Sequence, residues 1–283
     1  MSLTDKPLFD LSEAERTAIA ARRAFLDSLS AAARKITLPL FRSDVAAENK
    51  AETGYDPVTQ ADIDAEEVLR KLILQQFPDD SIEGEEWPDH EGTNAFSWTL
   101  DPIDGTRGFV AGVPVWSTLI ALSIHGDPIL GLIDLPALGL RALGDLSDEP
   151  KSILIHDDET MEPLNVRRIK SLSEARLGCT QPFGMFGPGE LAAYKIIQSG
   201  VAFSRLGLDA YAYVLLAQGR MDLVIEGGMK PCDVRALMPV VTGAGGVITD
   251  WHGGNPKDGP RLVACGSPDL MPELYTYLGR AML

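Results

Sequence analysis

A chain of 283 residues has room for two domains at ~150 residues each, or for one large one. Hydrophobic residues at 45% and charged residues at 23% exclude a disordered or fibrous chain. Forty-one acids against 25 lysines and arginines leave a net charge of −16, which opposes nucleic acid and anionic membranes unless a basic patch is concentrated locally. The densest basic cluster, Arg167, Arg168 and Lys170, is too small to invert that field.

The first 23 residues carry acids early and no apolar core of signal-peptide form, so no secretory signal is expected. No apolar run approaches ~18 residues, which argues against a membrane span. Residues 11–42 predict a long helix, with Ile19, Phe25, Leu26, Leu29, Ala33, Ile36 and Leu40 on one stripe. A second helix is expected over 60–77, stopped by Pro78. Short strands follow at Ser81–Ile82, Ser97–Ile103, Ser117–His125, Ile129–Leu135 and Arg141–Leu143, with a hairpin signal at Gly126–Asp127. The polar stretch 148–163 reads as the boundary between an α+β part (1–148) and an α/β part (149–283) that completes the active site. Beyond it, strands are expected at 175–180, 201–205, 221–225, 246–249 and 261–265. Helices are expected at 188–199, 208–218, 232–244 and 268–281.

Three well-separated cysteines (Cys179, Cys232, Cys265) exclude a disulfide scaffold and a cysteine-type zinc site, and they fit a reducing cytoplasm. No two of the four histidines share a helix face at metal spacing, so the working groups of an enzyme here would be carboxylates. The strongest motif is Leu100-Asp101-Pro102-Ile103-Asp104-Gly105-Thr106, an apolar strand running into two aspartates. Burying two carboxylates is costly without a cation. A strand-end turn would set both, with the Ile103 carbonyl, around a point of hard oxygen ligands, which suits Mg²⁺. The amides of Gly105 and Thr106 could then face a phosphate. Asp-Pro and Asp-Gly also make plain turns. The acid run Asp79–Glu91 (seven acids in thirteen residues) is a solvated loop unless one glutamate turns inward. Asp233 at a helix start and Asp56–Asp62 before the second helix could equally be caps. Gly243, Gly245 and Gly246 follow a helix and precede a strand, the reverse of a dinucleotide-binding loop, and no GxxxxGK[ST] occurs.

Asp56–Asp62, Gly84-Glu85-Glu86, Leu100–Thr106 and Asp233 followed by Gly245-Gly246 together resemble the motifs of the inositol monophosphatase-like family of Mg²⁺-dependent phosphatases, over residues ~50–250. The resemblance implies an α/β chain with a layered α-β-α-β-α phosphatase fold, usually homodimeric, that hydrolyses small phosphomonoesters. It implies Glu85, Asp101, the Ile103 carbonyl, Asp104 and Asp233 as ligands of two or three Mg²⁺ ions, with Asp104 also counted among the catalytic groups. Thr106 with Glu85 would orient the attacking water, and the Gly105–Thr106 amides would bind phosphate. Lys50 and Asp62 would be polar support. Cys232 departs from the family, which usually has Trp there. A haloacid-dehalogenase-type phosphatase is rejected, because its two aspartates are separated by one residue rather than two.

Pro114–Ile120, Ala210–Tyr213 and Ile225–Pro231 are similar to the histidinol-phosphatase branch. Glu226 and Asp209 match positions at the substrate's non-phosphate end, and two acids there would favour the amine and imidazole of histidinol phosphate. Asp209 could instead cap the helix at 208–218. Glu226 also suits a neutral polyol, which keeps inositol monophosphate as second choice and a 3′-phosphoadenosine nucleotide as third. A regulatory binding protein on the same fold is the alternative of a different class. The resulting expectation is a cytoplasmic enzyme of histidine biosynthesis.

Overall fold

The computed structural model describes residues 8–43, 47–49 and 57–279. Fourteen strands and eight α-helices are described. The first part holds α1 (Glu13–Leu40), β1 (Ala47–Asn49), β2 (Pro57–Thr59), α2 (Gln60–Gln76), β3 (Ser81–Gly84), β4 (Phe96–Asp104) and α3 (Thr106–Val110). A meander follows: β5 (Ser117–Ile124), β6 (Asp127–Leu135), β7 (Leu140–Asp145), β8 (Lys151–His156) and β9 (Met161–Pro163). The remainder is β10 (Arg176–Cys179), α4 (Pro188–Gly200), β11 (Phe203–Leu206), α5 (Tyr211–Ala217), β12 (Leu223–Gly227), α6 (Pro231–Val234), α7 (Leu237–Gly243), β13 (Val247–Thr249), β14 (Arg261–Cys265) and α8 (Met271–Leu278).

β3 to β9 form one seven-stranded sheet in chain order, antiparallel except for β3 with β4. The second sheet has the order β11-β10-β12-β14-β13. Side chains alternate across the first sheet. Ile120, Leu122, Leu130 and Leu132 point to α1 and α2, whereas Leu119, Ala121, Ile133 and Leu135 point to α5 and α7. The same middle helices pack on Val224, Leu262 and Ala264 of the second sheet. Leu177, Ile225 and Val263 face the opposite way, onto α4 and α8. The order of layers is therefore α-β-α-β-α, as the motifs implied. Among the described residues no helix is long and apolar enough to cross a membrane.

Three readings of the sequence change. The stretch 148–163, read as a polar connection, supplies β8 and β9, and β8 pairs with β7 from Leu140↔His156 to Asp145↔Lys151. The helix expected over 232–244 is broken into α6 and α7, because Pro239 has no N–H to give the Arg235 carbonyl one turn back. The hairpin turn lies one residue earlier than Gly126–Asp127. His125 (φ 53°) and Gly126 (φ 83°) make the two-residue turn that matches strand twist.

The break lets the chain cross the first sheet closely. Gly131 and Gly144 pair across β6 and β7, and a side chain on either would overlap the backbone at Ala236 or Pro239. This saddle sets the position of α6, and with it Asp233, against the end of β4.

Candidate active site

The end of β4 is irregular: its register on β5 shifts between Asp101 and Asp104. The shift is pinned by the Thr118 hydroxyl donating to the Pro102 carbonyl at 2.7 Å. Ile103 N–H donates to Asp101 Oδ1 at 3.1 Å, and the Thr106 hydroxyl donates to the Ile103 carbonyl at 3.0 Å. Gly105 takes φ 79°, and a Cβ there would sit 3.0 Å from Asp209 Cγ. The amides of Gly105 and Thr106 thus open α3, at positions that a helix leaves without internal acceptors. Asp104 Oδ2 accepts from the Ser117 hydroxyl and from Ala210 N–H, both at 3.1 Å, which ties the β4 end to the start of α5.

Glu85 does turn inward from its acidic run. The turn that carries it rests on Glu66 of α2, a buried glutamate that the sequence reading did not single out. Glu66 accepts from Glu86 N–H (2.8 Å), Trp87 N–H (3.2 Å) and Arg70 Nε (2.7 Å). Gly84 is required beneath it, since any Cβ would overlap the Glu66 carboxylate. Asp62 is also buried, and its Oδ2 accepts from Thr59 N–H and from the Thr59 hydroxyl, the capping geometry foreseen as one alternative. Burial pushes its carboxyl up, and the field of Glu85 adds to the shift. Lys50 and Asp56 lie outside the described residues.

Asp233 combines both of its readings. Its Oδ2 accepts from Lys230 N–H at 2.7 Å within the first turn of α6, and its side chain also joins the acidic cluster. Lys230 Nζ donates to Glu85 Oε1 at 2.9 Å. Two sets of ligand-type atoms lie within 4.8 Å of one another: Glu85, Asp101 and Cys232, and Asp101, Asp104 and Asp233. Burial, then neighbouring carboxylates, push Asp101 and Asp104 well above the usual carboxylate range. Burial raises Asp233 to about 6. So many carboxylates held close in a low-dielectric recess fit a hard divalent cation. The one soft atom is the Cys232 thiol, which burial pushes far above its ordinary value and so keeps protonated.

These acids line a cavity of about 410 Å³. Its walls also hold Asp209, Glu226, Thr180 and Gln181; Asp209 lies against Gly105, and its charge helps push the Asp104 carboxyl up. Glu226 closes β12, and its Oε1 accepts from Thr180 N–H (2.7 Å) and from the Thr180 hydroxyl (2.9 Å). Burial raises Glu226 to about 8. Asp209, in the left-handed region at φ 46°, is raised by burial to about 6, with Arg107 drawing it back down. Asp209 does not cap α5 with its side chain, because that helix has no side-chain cap. The cavity thus brings together Glu85, Asp101, Ile103, Asp104, Gly105, Thr106, Asp209, Glu226 and Asp233. The sequence reading missed Arg107, Thr180 and Lys230 in its walls. Arg107 adjoins the aspartate motif and Lys230 lies within the Ile225–Pro231 segment, whereas Thr180 had no such signal.

The model of the inositol monophosphatase family matches residues 20–282. The chain belongs to that family. It is 42% identical to the chloroplastic bifunctional phosphatase IMPL2 of Arabidopsis thaliana over 229 residues, which are 80% of this chain and 63% of that protein. The chain thus spans under two thirds of that relative's length. The histidinol-phosphatase of Chlorobaculum parvum is 33% identical over 241 residues, covering 84% of this chain and 90% of the relative. A solved inositol monophosphatase from Zymomonas mobilis superposes with a TM-score of 0.78 at 33% identity, covering 95% of this chain and all of that one. The protein is accordingly a phosphoric monoester hydrolase of a family generally dependent on Mg²⁺.

Proposed function

We propose that this inositol monophosphatase-family enzyme hydrolyses L-histidinol phosphate to the alcohol and inorganic phosphate. The observation that carries this reading is the pair of acids, Asp209 and Glu226, which line the same cavity as the carboxylate cluster without belonging to either ligand set. A cationic alcohol is the leaving group that such a pair stabilises, and the field of an ammonium or imidazolium would draw both carboxyls back toward their charged forms. Relatives named histidinol-phosphatase support it.

Glu85, Asp101, the Ile103 carbonyl, Asp104 and Asp233 would hold Mg²⁺, which when bound acidifies water and stabilises charge on the phosphoryl oxygens. Ester phosphate oxygens would be held by the amides of Gly105 and Thr106 at the start of α3. Glu85 and the Thr106 hydroxyl would orient a water in line with the scissile bond, with the Thr106 hydroxyl positioned by its bond to the Ile103 carbonyl. Water adds to phosphorus as the ester oxygen leaves, and that oxygen gains one proton to become the alcohol.

Glu226 also supports a second reading. A carboxyl that ionises near 8 is largely neutral at pH 7 and can hydrogen-bond the hydroxyls of inositol monophosphate. The test is phosphate release from histidinol phosphate, inositol 1-phosphate and 3′-phosphoadenosine 5′-phosphate, with and without Mg²⁺, beside Asp104→Asn. Mg²⁺-dependent preference for histidinol phosphate, lost in the variant, is expected. Preference for inositol phosphate would retain the mechanism and overturn the substrate.

A further inference from the structure

The cavity walls are not uniformly polar. Besides its acids the cavity is lined by Ala111, Val113 and Val115, from the segment joining α3 to β5, and by Met185, from the loop that joins β10 to α4.

The loop bearing Met185 is held at three points. Thr180 at its start is bonded twice to Glu226. Gln181 accepts from Arg107 Nη1 at 3.4 Å, a contact with α3. Phe186 is buried among Tyr194 and Trp251, with ring centroids 5.5 Å and 5.4 Å away. Between these anchors the chain lies on Gly227 and Gly228, directly after Glu226. A Cβ on Gly227 would come within 2.7 Å of the Phe186 ring, and one on Gly228 within 2.7 Å of Met185 Cε. The missing side chain at 227 therefore leaves room for the Phe186 ring, and the end of Met185, packed on the core under α4 and α8, rests on Gly228 in the cavity wall.

We propose that Met185 is a specificity-determining residue of this phosphatase, packing on the face of a flat ring in the leaving alcohol and favouring ring-bearing phosphomonoesters over polyol phosphates. The proposal rests on the reading that Asp209 and Glu226 receive the leaving alcohol. A thioether makes favourable contacts with an unsaturated ring, and the valines of the same cavity add apolar area. A polyol presents hydroxyls on its faces, and such walls would strip them of water without replacing the hydrogen bonds. An imidazole or phenyl ring, apolar on its faces, loses nothing there.

The test uses the full-length Mg²⁺-loaded enzyme and three substrates: histidinol phosphate, benzyl phosphate and glycerol 2-phosphate. Benzyl phosphate carries a flat ring but no amine, so it isolates the wall from the acids. The quantity read is kcat/KM for benzyl phosphate divided by kcat/KM for glycerol 2-phosphate. In Met185→Gln and Met185→Ala this ratio is expected to fall about 5- to 20-fold, mainly through KM, as the apolar contact is lost. Met185→Leu, apolar and of similar size, is expected to restore most of it. A ratio that stays within twofold in Met185→Gln, even with both constants lowered together, overturns the proposal and leaves Met185 a loop-packing residue. Failure of Met185→Leu to recover the ratio overturns it too. If the wild-type enzyme ignores histidinol phosphate while the ratio still collapses in Met185→Gln, the substrate reading falls and the role of Met185 stands.

Discussion

Glu66 offers the sharpest test of how the fold serves the site, because it touches no substrate and carries no motif. It is buried on α2, and its two oxygens accept from the amides of Glu86 and Trp87 and from Arg70 Nε. Glu66→Gln keeps the shape but turns one acceptor into a donor, which must then face either an amide N–H or the Arg70 guanidinium. Losing one or two hydrogen bonds to a charged acceptor, each about 1.5–3 kcal/mol, predicts a destabilisation of about 2–4 kcal/mol. The turn that loosens is the one carrying Glu85. If about 1 kcal/mol of that loss appears as misplacement of Glu85, the Mg²⁺ concentration for half-maximal activity should rise about fivefold. Urea unfolding without Mg²⁺ measures the first quantity, and a Mg²⁺ titration of phosphate release measures the second. An unfolding midpoint equal to that of the wild type would refute the claim that Glu66 supports the turn. A lower midpoint with unchanged Mg²⁺ dependence would refute the link from that turn to the metal site.

Three further outcomes follow from the same geometry. Asp101→Asn removes a charge that burial and Glu85 both disfavour, so without Mg²⁺ the variant should melt higher than wild type. It should also lose most of the Mg²⁺-induced rise in melting temperature, and calorimetry with and without chelator reads both effects. Glu226 is raised from 4.5 to about 8 on folding, so its contribution to stability is complete below pH 4.5 and is lost as pH rises through about 8. Glu226→Gln should therefore flatten the decline in stability between those limits, a difference on the order of 4–5 kcal/mol, read by urea unfolding across pH 5–9. Equal slopes would show that Glu226 keeps an ordinary acidity. Gly144→Ala would drive a methyl into the backbone at Pro239 and Val240; a loss of about 1–3 kcal/mol is expected, with activity falling as α6 and Asp233 move.

Much of the site was readable because its strongest groups end apolar runs: Asp101 and Asp104 close β4, and Glu226 closes β12. Strand ends are where a sheet delivers side chains to a cavity, and hydropathy marks them. By patterning alone Glu85 was one acid among seven, and only the resemblance of Gly84-Glu85-Glu86 to a family motif picked it out; the residue that positions it, Glu66, is one of four acids on α2 and had no signal of its own. β8 was hidden by the flanking Asp148-Glu149-Pro150 and Asp157-Asp158, although its Ile153-Leu154-Ile155 centre has a strand's composition. Thr180 and Met185 had no local signal, because their positions depend on contacts with Glu226 and Gly228, more than forty residues later.

That division has a mechanical consequence. Asp101 and Asp104 lie in the seven-stranded sheet and Glu85 directly follows its β3, whereas Glu226 lies in the five-stranded sheet and Thr180 directly follows its β10. The layer of α5 and α7 separates the sheets. The bond from Ala210 N–H to Asp104 and the saddle at Gly131 and Gly144 fix that layer against the first sheet. The distance between Asp104 on the first sheet and Glu226 on the second is therefore a property of helix packing rather than of any motif. A substitution in that layer should change the ranking among leaving alcohols of different length while the Mg²⁺ requirement persists. A substitution at Asp101 or Asp104 should remove activity on every ester alike.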